Sequence, residues 1–579
     1  MANSTSFEKA GAMNVIKIYS ESICYRSNRW LSYAYIQVIL IIVAVVMIST
    51  GCDSEPTSKH ITINVSTAEE LREAVDRVLP GTIIIAGNGD YAFDDSPLRV
   101  SVRATEDAPV VIRAENIGMS KFTGEYAVLL DSCAHVTFDG FALHNRALKH
   151  ALSYVTPTDI WIEAMRDELP HHGSFLVLNS NNCRLTGLTF KLEEQEGFTE
   201  KMLLDRLPRM HWLNLSGGQY NRVDHCHFSG KVNSGVYIEI GPLEQHFRID
   251  RNHFDGRPPG NYNGFETIRA CSGGLNNMYG LIDYNLFENC DGEGEIISVK
   301  SSVLRISHNT FRDCAGMLTI RMGGHVTVDY NYFLNPSGKK GVGGVRVHGS
   351  DNNIINNYFS DLTGLGLMSY WGDFDKPHFI HDEGDSFRYD LSSEAFTYRQ
   401  ANRVYLAFNT WVNCASFLNL GAYRKYEIAE LNLPPNDWSL LNNIVICNDT
   451  QFIHGEGETG FRWMGNIFWN PSGDVNIGRI LDTPRITVVD PKLECSEDGI
   501  WRLSKDSPAV DNGRAWYYPA EIIPGFMEDI DGQPRDLAVK VTEPQVQSEF
   551  KFDAGADEYS DAPVKNRPLT GDDVGPASR

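Results

Sequence analysis

Glu293 and Glu295 stand two residues apart, just ahead of an apolar run that ends in Lys300. On a strand, residues i and i+2 share a face, so the two carboxylates are neighbours and repel each other. A bound cation would offset that repulsion. Asn263 and Glu266 lie about one repeat earlier, in the stretch Asn263-Gly264-Phe265-Glu266-Thr267-Ile268-Arg269, and offer further oxygen donors. An all-oxygen set without histidine suits Ca²⁺ better than Zn²⁺. Basic residues recur at matching intervals. Arg269 precedes Glu293 by 24 residues, Lys300 precedes Arg321 by 21, and Arg321 precedes Arg346 by 25. A chain that repeats at this spacing projects these side chains from neighbouring rungs of one sheet. A solvated face with an ion-pair ladder is the alternative, and Arg269 is then the partner that satisfies the two glutamates without a metal.

The elements that must position these groups are strands. Runs ending in Asn-x-Phe or a close variant recur at Asn252–Phe254, Asn285–Phe287, Asn309–Phe311, Asn331–Phe333, Asn357–Phe359, Asn409–Trp411 and Asn466–Phe468. The first five Phe positions are 33, 24, 22 and 26 residues apart. No helical pattern separates them, so each interval is one coil of a parallel β-solenoid. Coils stack about 4.8 Å apart, which turns recurring Phe into an apolar stack and recurring Asn into an amide ladder at a turn. Cys290 and Cys314 are expected to form a buried thiol stack. Ser66 followed by Glu69 ahead of Leu71, Ala74 and Val75 reads as a capped amphipathic helix closing the first coil. The reading is therefore an all-β chain, a single-stranded right-handed parallel β-helix with an N-terminal capping helix. It spans residues 60–490, followed by closing turns over 491–559 and a disordered tail over 560–579. Residues 146–172 and 366–400 break the repeat and are read as loops, with Tyr370, Trp371 and Phe374 as candidate sugar platforms.

The chain has 579 residues, with 42% hydrophobic and 22% charged side chains, which is ordinary for a folded protein. Its formal charge of −24 argues against general nucleic-acid binding. An acidic ligand would need a local basic strip, which Arg269, Lys300, Arg321 and Arg346 could form. Residues 1–52 read as a signal segment: basic residues, the apolar run Val38–Ile48, then Gly51-Cys52. The Gly-Cys pair resembles the end of a bacterial lipoprotein signal, although Ser49 stands where that box usually has Leu. Residues 53–59 form a linker. This order places the mature chain in the cell envelope, periplasmic or at the surface, or outside the cell. The 11 cysteines include no CxxC, so neither a thiolate zinc site nor a disulfide framework is expected.

Three ordered motifs resemble polysaccharide lyase family 6, the alginate lyases and chondroitinase B. They are Asn-Gly-Phe-Glu-Thr-Ile-Arg at 263–269, Glu-Gly-Glu-Ile-Ile-Ser-Val-Lys-Ser-Ser at 293–302, and Arg321 after a short apolar strand. The resemblance extends over residues 60–559. It implies β-elimination on a uronate polymer, with Lys300 as base and Arg321 as acid. It also implies Ca²⁺ on Asn263, Glu293 and Glu295, with Glu266 as an additional ligand, and substrate contacts from Arg346. Arg269 joins these as a substrate-binding residue in the basic strip. The form Glu-Thr-Ile-Arg is closer to the alginate lyases, so alginate is the expected partner. A dermatan-type glycosaminoglycan and a non-catalytic polyanion-binding solenoid are the alternatives. The family commonly has His after the catalytic Arg, where this chain has Met322.

The N-terminal reading has a direct check. Mass spectrometry of the mature protein should find Cys52 as a lipid-modified first residue. A mature N-terminus that is unmodified, or that still contains Leu31, contradicts it.

Overall fold

A computed structural model describes residues 61–579, apart from residues 95, 125–127, 146–172, 193–208, 262, 271–276, 374–397, 426–429, 478–485, 515–526 and 536–551. The signal segment, the linker, Phe374 and the 146–172 loop lie outside the described residues. Those described belong to one compact unit, His60–Arg579. Among them, no helix is long and apolar enough to cross a membrane.

The chain opens with strand Ile61–Val65 and helix α1, Ala68–Asp76, which buries Leu71, Ala74 and Val75. The cap sits one residue later than the sequence suggested. Thr67, not Ser66, accepts from the Glu70 amide, while the Ser66 amide and hydroxyl both donate to the Glu70 carboxylate. Thr67 is thus the N-cap, while the Glu70 side chain closes the turn by accepting from Ser66 one residue further out.

Three parallel sheets follow, of 14, 12 and 14 strands. Each central coil contributes one strand to each sheet. In one such coil, Asn277–Asp283 lies in the first sheet, Leu286–Cys290 in the third and Glu295–Val299 in the second. The next coil repeats this with Ser302–Ser307, Thr310–Arg312 and Met317–Ile320.

Two side-chain columns hold the coils in phase. Phe254, Phe287, Phe311, Phe333, Phe359 and Trp411 are in register, with successive ring centroids 4.6–4.7 Å apart. Beside them runs the asparagine ladder. Asn309 Oδ1 accepts from both the backbone N and Nδ2 of Asn285, each at 3.0 Å, and its own Nδ2 donates to the Ile282 carbonyl at 2.9 Å. The same pattern recurs at Asn331, Asn357, Asn409, Asn443 and Asn466. The residue before each rung has positive φ, 52 to 56° at Tyr284, His308, Tyr330, Asn356, Phe408 and Asn442 and 68° at Gly465. This left-handed conformation is unfavourable for a non-glycine residue. The ladder bonds offset it and fix a sharp turn between the first and third sheets. Cys290 and Cys314 are buried, with the Cys290 amide 3.4 Å from Cys314 Sγ, as the thiol stack requires.

The C-terminal segment departs from expectation. Polar composition suggested a disordered tail over 560–579. Instead this stretch binds back across earlier coils. The Lys565 amide donates to the Asp531 carbonyl, Leu569 N to Thr310 Oγ1, Arg312 Nη2 to the Leu569 carbonyl and Gly575 N to the Arg251 carbonyl. Arg579 pairs with Asp139, and Val574 is buried. Most of these partners lie more than 250 residues away in the chain, which composition cannot reveal.

Removing one ladder rung should be costly. Asn309→Ala leaves the Asn285 donors and the Ile282 carbonyl without that partner inside the core. The expected loss of unfolding free energy is about 2–4 kcal/mol. Asn353→Ala, on a half-buried rim, should change stability by less than about 1 kcal/mol in the same urea titration.

Candidate active site

The outer face of the second sheet carries the groups singled out by the sequence. Consecutive strands there are Ile238–Ile240, Ile268–Ala270, Glu295–Val299, Met317–Ile320, Val345–Val347 and Leu365–Met368. Register aligns Glu239, Arg269, Ser298, Thr319, Arg346 and Met368 in one column. The pairs Val299–Ile320 and Ile320–Val347 place Lys300, Arg321 and His348 in a second column two residues further along. Backbone bonds from Lys300 N to Ala270 O, Arg321 N to Val299 O and His348 N to Ile320 O continue the pairing to these residues. Lys300 and Arg321 are thus neighbours on adjacent rungs, about 4.8 Å apart along the stack. Arg346 belongs to the first column, on the rung after Arg321.

Upstream of the second column lies the acidic cluster. Carboxylate oxygens of Glu266, Glu293 and Glu295 lie within 4.8 Å of one another. Glu295 begins its strand, whereas Glu293 precedes it, so the pair does not share a strand face as expected. Glu293 reaches the cluster through a bend. Its Oε2 accepts from Gly264 N at 2.7 Å and Phe265 N at 3.1 Å. Gly264 has φ of 106°, a conformation that glycine supplies at little steric penalty, and this turns both amides onto one oxygen. Fully buried Arg257 steadies this loop from beneath, donating to the carbonyls of Phe265 and Gly235 at 2.6 Å each. Asn263, next to Gly264, is exposed at the same turn.

Several of the charges on this face are paired with one another. Arg269 is buried and donates Nε and Nη2 to Glu266, with Nη1 3.6 Å from Glu239. Burial alone would lower the Arg269 pKa, but Glu239 and Glu266 raise it instead. Burial likewise works against ionised Glu266, but Arg269 holds it below the usual carboxylate range. Glu295 pairs with Arg346 Nη1 at 3.3 Å, so the arginine that answers the glutamate pair is Arg346 and not Arg269. Glu295 Oε2 remains buried without a hydrogen-bond partner among the described residues. Glu293 is pushed up by burial and by the charges of Glu266 and Glu295. Crowded carboxylates, an orphaned oxygen and a nearby amide side chain fit a hard divalent cation.

Lys300 is half-buried, with Nζ 4.0 Å from Glu266. Burial lowers its pKa and the charges of Arg269 and Arg321 lower it further, against Glu266 and Glu295. Arg321 has a buried Nε without a hydrogen-bond partner among the described residues, and its guanidinium lies 5.7 Å from the Tyr398 ring centroid. Arg269, expected on the substrate, is committed to internal partners. His348, to which the sequence reading assigned no role, accepts from Arg346 Nε at 3.3 Å. Burial and Arg346 push it well below the usual imidazole range, so it is neutral. The alternation Arg346-Val347-His348 was the signal, since i and i+2 share a face. It sets an imidazole on the rung next to Arg321, although the residue after Arg321 is Met322, which is buried. Tyr398, also missed, lies far from the motifs in sequence, whereas Glu239 sits one coil before Arg269 and could have been reached by the same counting.

Comparison with known proteins follows from this geometry. A family model described as chondroitinase B matches residues 65–433, well over half the chain. The chain therefore belongs to that family, polysaccharide lyase family 6. Among solved structures, the family 6 alginate lyase AlyGC is 23% identical with a TM-score of 0.61; the match covers 77% of this chain and 55% of AlyGC. This chain thus spans about half the length of that relative. A mannuronic acid specific family 6 lyase from human gut microbiota is 20% identical, with a TM-score of 0.57 and coverage of 71% and 86%. A family 6 alginate lyase in complex with a trisaccharide is 19% identical, with a TM-score of 0.58 and coverage of 78% and 92%. These likenesses show a common parallel β-helix. No curated protein matches the sequence.

The internal role of Arg269 is testable by stability. Arg269→Ala removes the guanidinium that pairs with buried Glu239 and Glu266 and should cost about 3–5 kcal/mol of unfolding free energy. If Arg269 instead serves only the ligand, denaturant midpoints of the variant and the parent will coincide.

Proposed function

We propose that this protein is a polysaccharide lyase that cleaves alginate by β-elimination. The observation that carries the reading is the register placing Lys300 and Arg321 on adjacent rungs, directly beside the Glu266, Glu293 and Glu295 cluster. A uronate C5 proton can be removed only if the adjacent carboxylate is neutralised. Glu266, Glu293 and Glu295, with Asn263 beside them, would hold Ca²⁺, which supplies the positive charge that stabilises the enolate.

The remaining steps belong to the chain's own side chains. Lys300, its amine shifted toward the free base, takes the C5 proton. The electron pair from that C–H bond forms the C4–C5 double bond as the C4–O4 bond breaks. Arg321 donates to the departing O4, and neutral His348 and Tyr398 flank its guanidinium. Arg346, fixed by Glu295 and His348, presents a cation to the polymer. Arg269 orients Glu266 and does not touch substrate. Proton transfer by a base placed this way contributes about 10²–10⁴-fold.

The family match to chondroitinase B favours a second reading, in which the polymer is a dermatan-type glycosaminoglycan. The N-terminal segment supports action in the cell envelope on material arriving from outside.

The test is ultraviolet absorbance of the unsaturated product, with alginate and dermatan substrates run side by side. The expected result is product from alginate, loss of at least about 10²-fold in Lys300→Ala, and retention of the parent's unfolding midpoint by that variant. EDTA should remove activity, Ca²⁺ should restore it, and Glu295→Gln should weaken calcium affinity. Turnover by Lys300→Ala near the parent rate contradicts the base assignment. Full activity in protein shown to be calcium-free contradicts the metal assignment.

A further inference from the structure

The outer face of the third sheet carries a second set of side chains with ligating chemistry. Its strands His227–Ser229, His253–Arg257 and Leu286–Cys290 are consecutive, and their register places His227 beside His253 and Asp255 beside Glu288. Phe228, Phe254 and Phe287 fill the alternate positions and are buried in the core stack, so both histidines and both carboxylates lie on the outer face. Each histidine leans diagonally toward the carboxylate one rung on. His253 Nε2 is 2.8 Å from Glu288 Oε2, and His227 Nε2 is 3.7 Å from Asp255 Oδ2. One ligand atom each from His253, Asp255 and Glu288 lies within 4.8 Å of the others.

The surroundings keep these atoms turned toward one another. The His227 and His253 rings stack with centroids 5.0 Å apart and planes 21° apart, and both Nε2 atoms are on the carboxylate side. The 3.7 Å separation is too long for a hydrogen bond, and His227 Nε2 is buried with no hydrogen-bond partner among the described residues. Arg312 Nη1 takes the other oxygen of Glu288, Oε1, at 3.0 Å, which fixes that carboxylate and leaves Oε2 facing His253. The His253 hydrogen bond, helped by Arg312, holds Glu288 below the usual carboxylate range against the effect of burial. The C-terminal segment covers the cluster. Gly575 N donates to the Arg251 carbonyl, and the Leu569 carbonyl accepts from Arg312 Nη2 at 3.0 Å. A Cβ at Gly575 would lie 3.6 Å from His253 Cβ, so the segment shields His253, whose side chain is 16% exposed.

We propose that His227, His253, Asp255 and Glu288 form a binding site for a Zn²⁺-type divalent cation, which ties three successive coils together beneath the C-terminal segment. A tetrahedral zinc site with bonds of about 2.0–2.1 Å puts its ligand atoms about 3.3 Å apart. The observed 2.8 and 3.7 Å separations straddle that value. Two imidazole nitrogens with two carboxylate oxygens suit a borderline transition metal, whereas the all-oxygen cluster of Glu266, Glu293 and Glu295 suits a harder ion, so the two sites differ in what they select. The ligands come from three rungs and converge only in the folded chain, so the cation would stabilise the native state. The rival arrangement puts a proton in the place of the metal, with His253 paired to Glu288 in an ion-pair ladder. That accounts for His253 and Glu288 and leaves the buried His227 nitrogen unexplained. The inference is independent of the lyase reading, because the site lies on another sheet.

The experiment is calorimetric titration of the untagged protein, freed of metal, with ZnCl₂ in saturating Ca²⁺. One Zn²⁺ should bind per chain and raise the thermal unfolding midpoint. His253→Gln keeps a donor toward Glu288 but removes the imidazole. It should weaken Zn²⁺ binding at least about tenfold while its metal-free midpoint stays at that of the parent. Glu288→Gln should weaken binding likewise, and Glu295→Gln, in the other cluster, should leave it unchanged. Co²⁺ in place of Zn²⁺ should give the intense visible bands of a four-coordinate site, and His227→Gln should remove them. The proposal is overturned if no Zn²⁺ binds, if His253→Gln and Glu288→Gln bind as the parent does, or if Glu295→Gln is the variant that loses binding. It is equally overturned if the parent with Co²⁺ shows only the weak bands of an octahedral ion. That last measurement needs no variant, so the test stands even where a substitution unfolds the chain.

Discussion

Everything at the site depends on coil-to-coil register. A parallel β-helix has no hairpins to fix the phase of one strand against the next, and a slip of one residue would exchange the inner and outer faces. Here the phase is locked at the turn by the asparagine ladder and inside by the Phe stack. The ladder amides satisfy one another from coil to coil, and the strained residue before each rung leaves little freedom in how the turn is made. Because the lock lies on the first and third sheets, the second sheet is free to carry groups that would not stabilise it themselves.

That freedom is used for electrostatics. Along one sheet face the chain sets Glu239 and Glu266 around Arg269, Glu295 against Arg346, and Lys300 beside Arg321. Paired members neutralise each other inside a poorly solvated surface. What is left over is informative: an orphaned Glu295 oxygen, a carboxyl at Glu293 pushed up by its neighbours, and an amine at Lys300 pushed down. Such unresolved groups are destabilising in isolation, and they are the groups that the proposed cation and uronate would engage.

Much of this was legible in the sequence. The interval between Asn-x-Phe runs sets the coil, and counting by that interval brings Lys300 and Arg321 onto neighbouring rungs. The same counting misled at finer scale. Glu293 and Glu295 are two residues apart, but the strand begins only at Glu295, so alternation does not apply across the bend. Arg346 falls one coil after Arg321 yet occupies a different column, because Met317–Ile320 and Val345–Val347 pair with a two-residue offset between the motif residues. Arg269 looked like a groove cation and is an internal one, since spacing does not report which of several carboxylates a guanidinium reaches. Tyr398 and the ordered C-terminal segment were invisible for a common reason: their partners are set by tertiary contacts distant in the chain.

The central claim is that this sheet face performs elimination, in which no water enters the product. Cleavage of a uronate polymer in heavy-oxygen water, followed by mass spectrometry of the fragments, separates this from hydrolysis. The account predicts fragments in which one new end is unsaturated, the pair together lacking the mass of a water, with no heavy oxygen incorporated at the scissile bond. Saturated ends carrying one heavy oxygen per cleavage would contradict it.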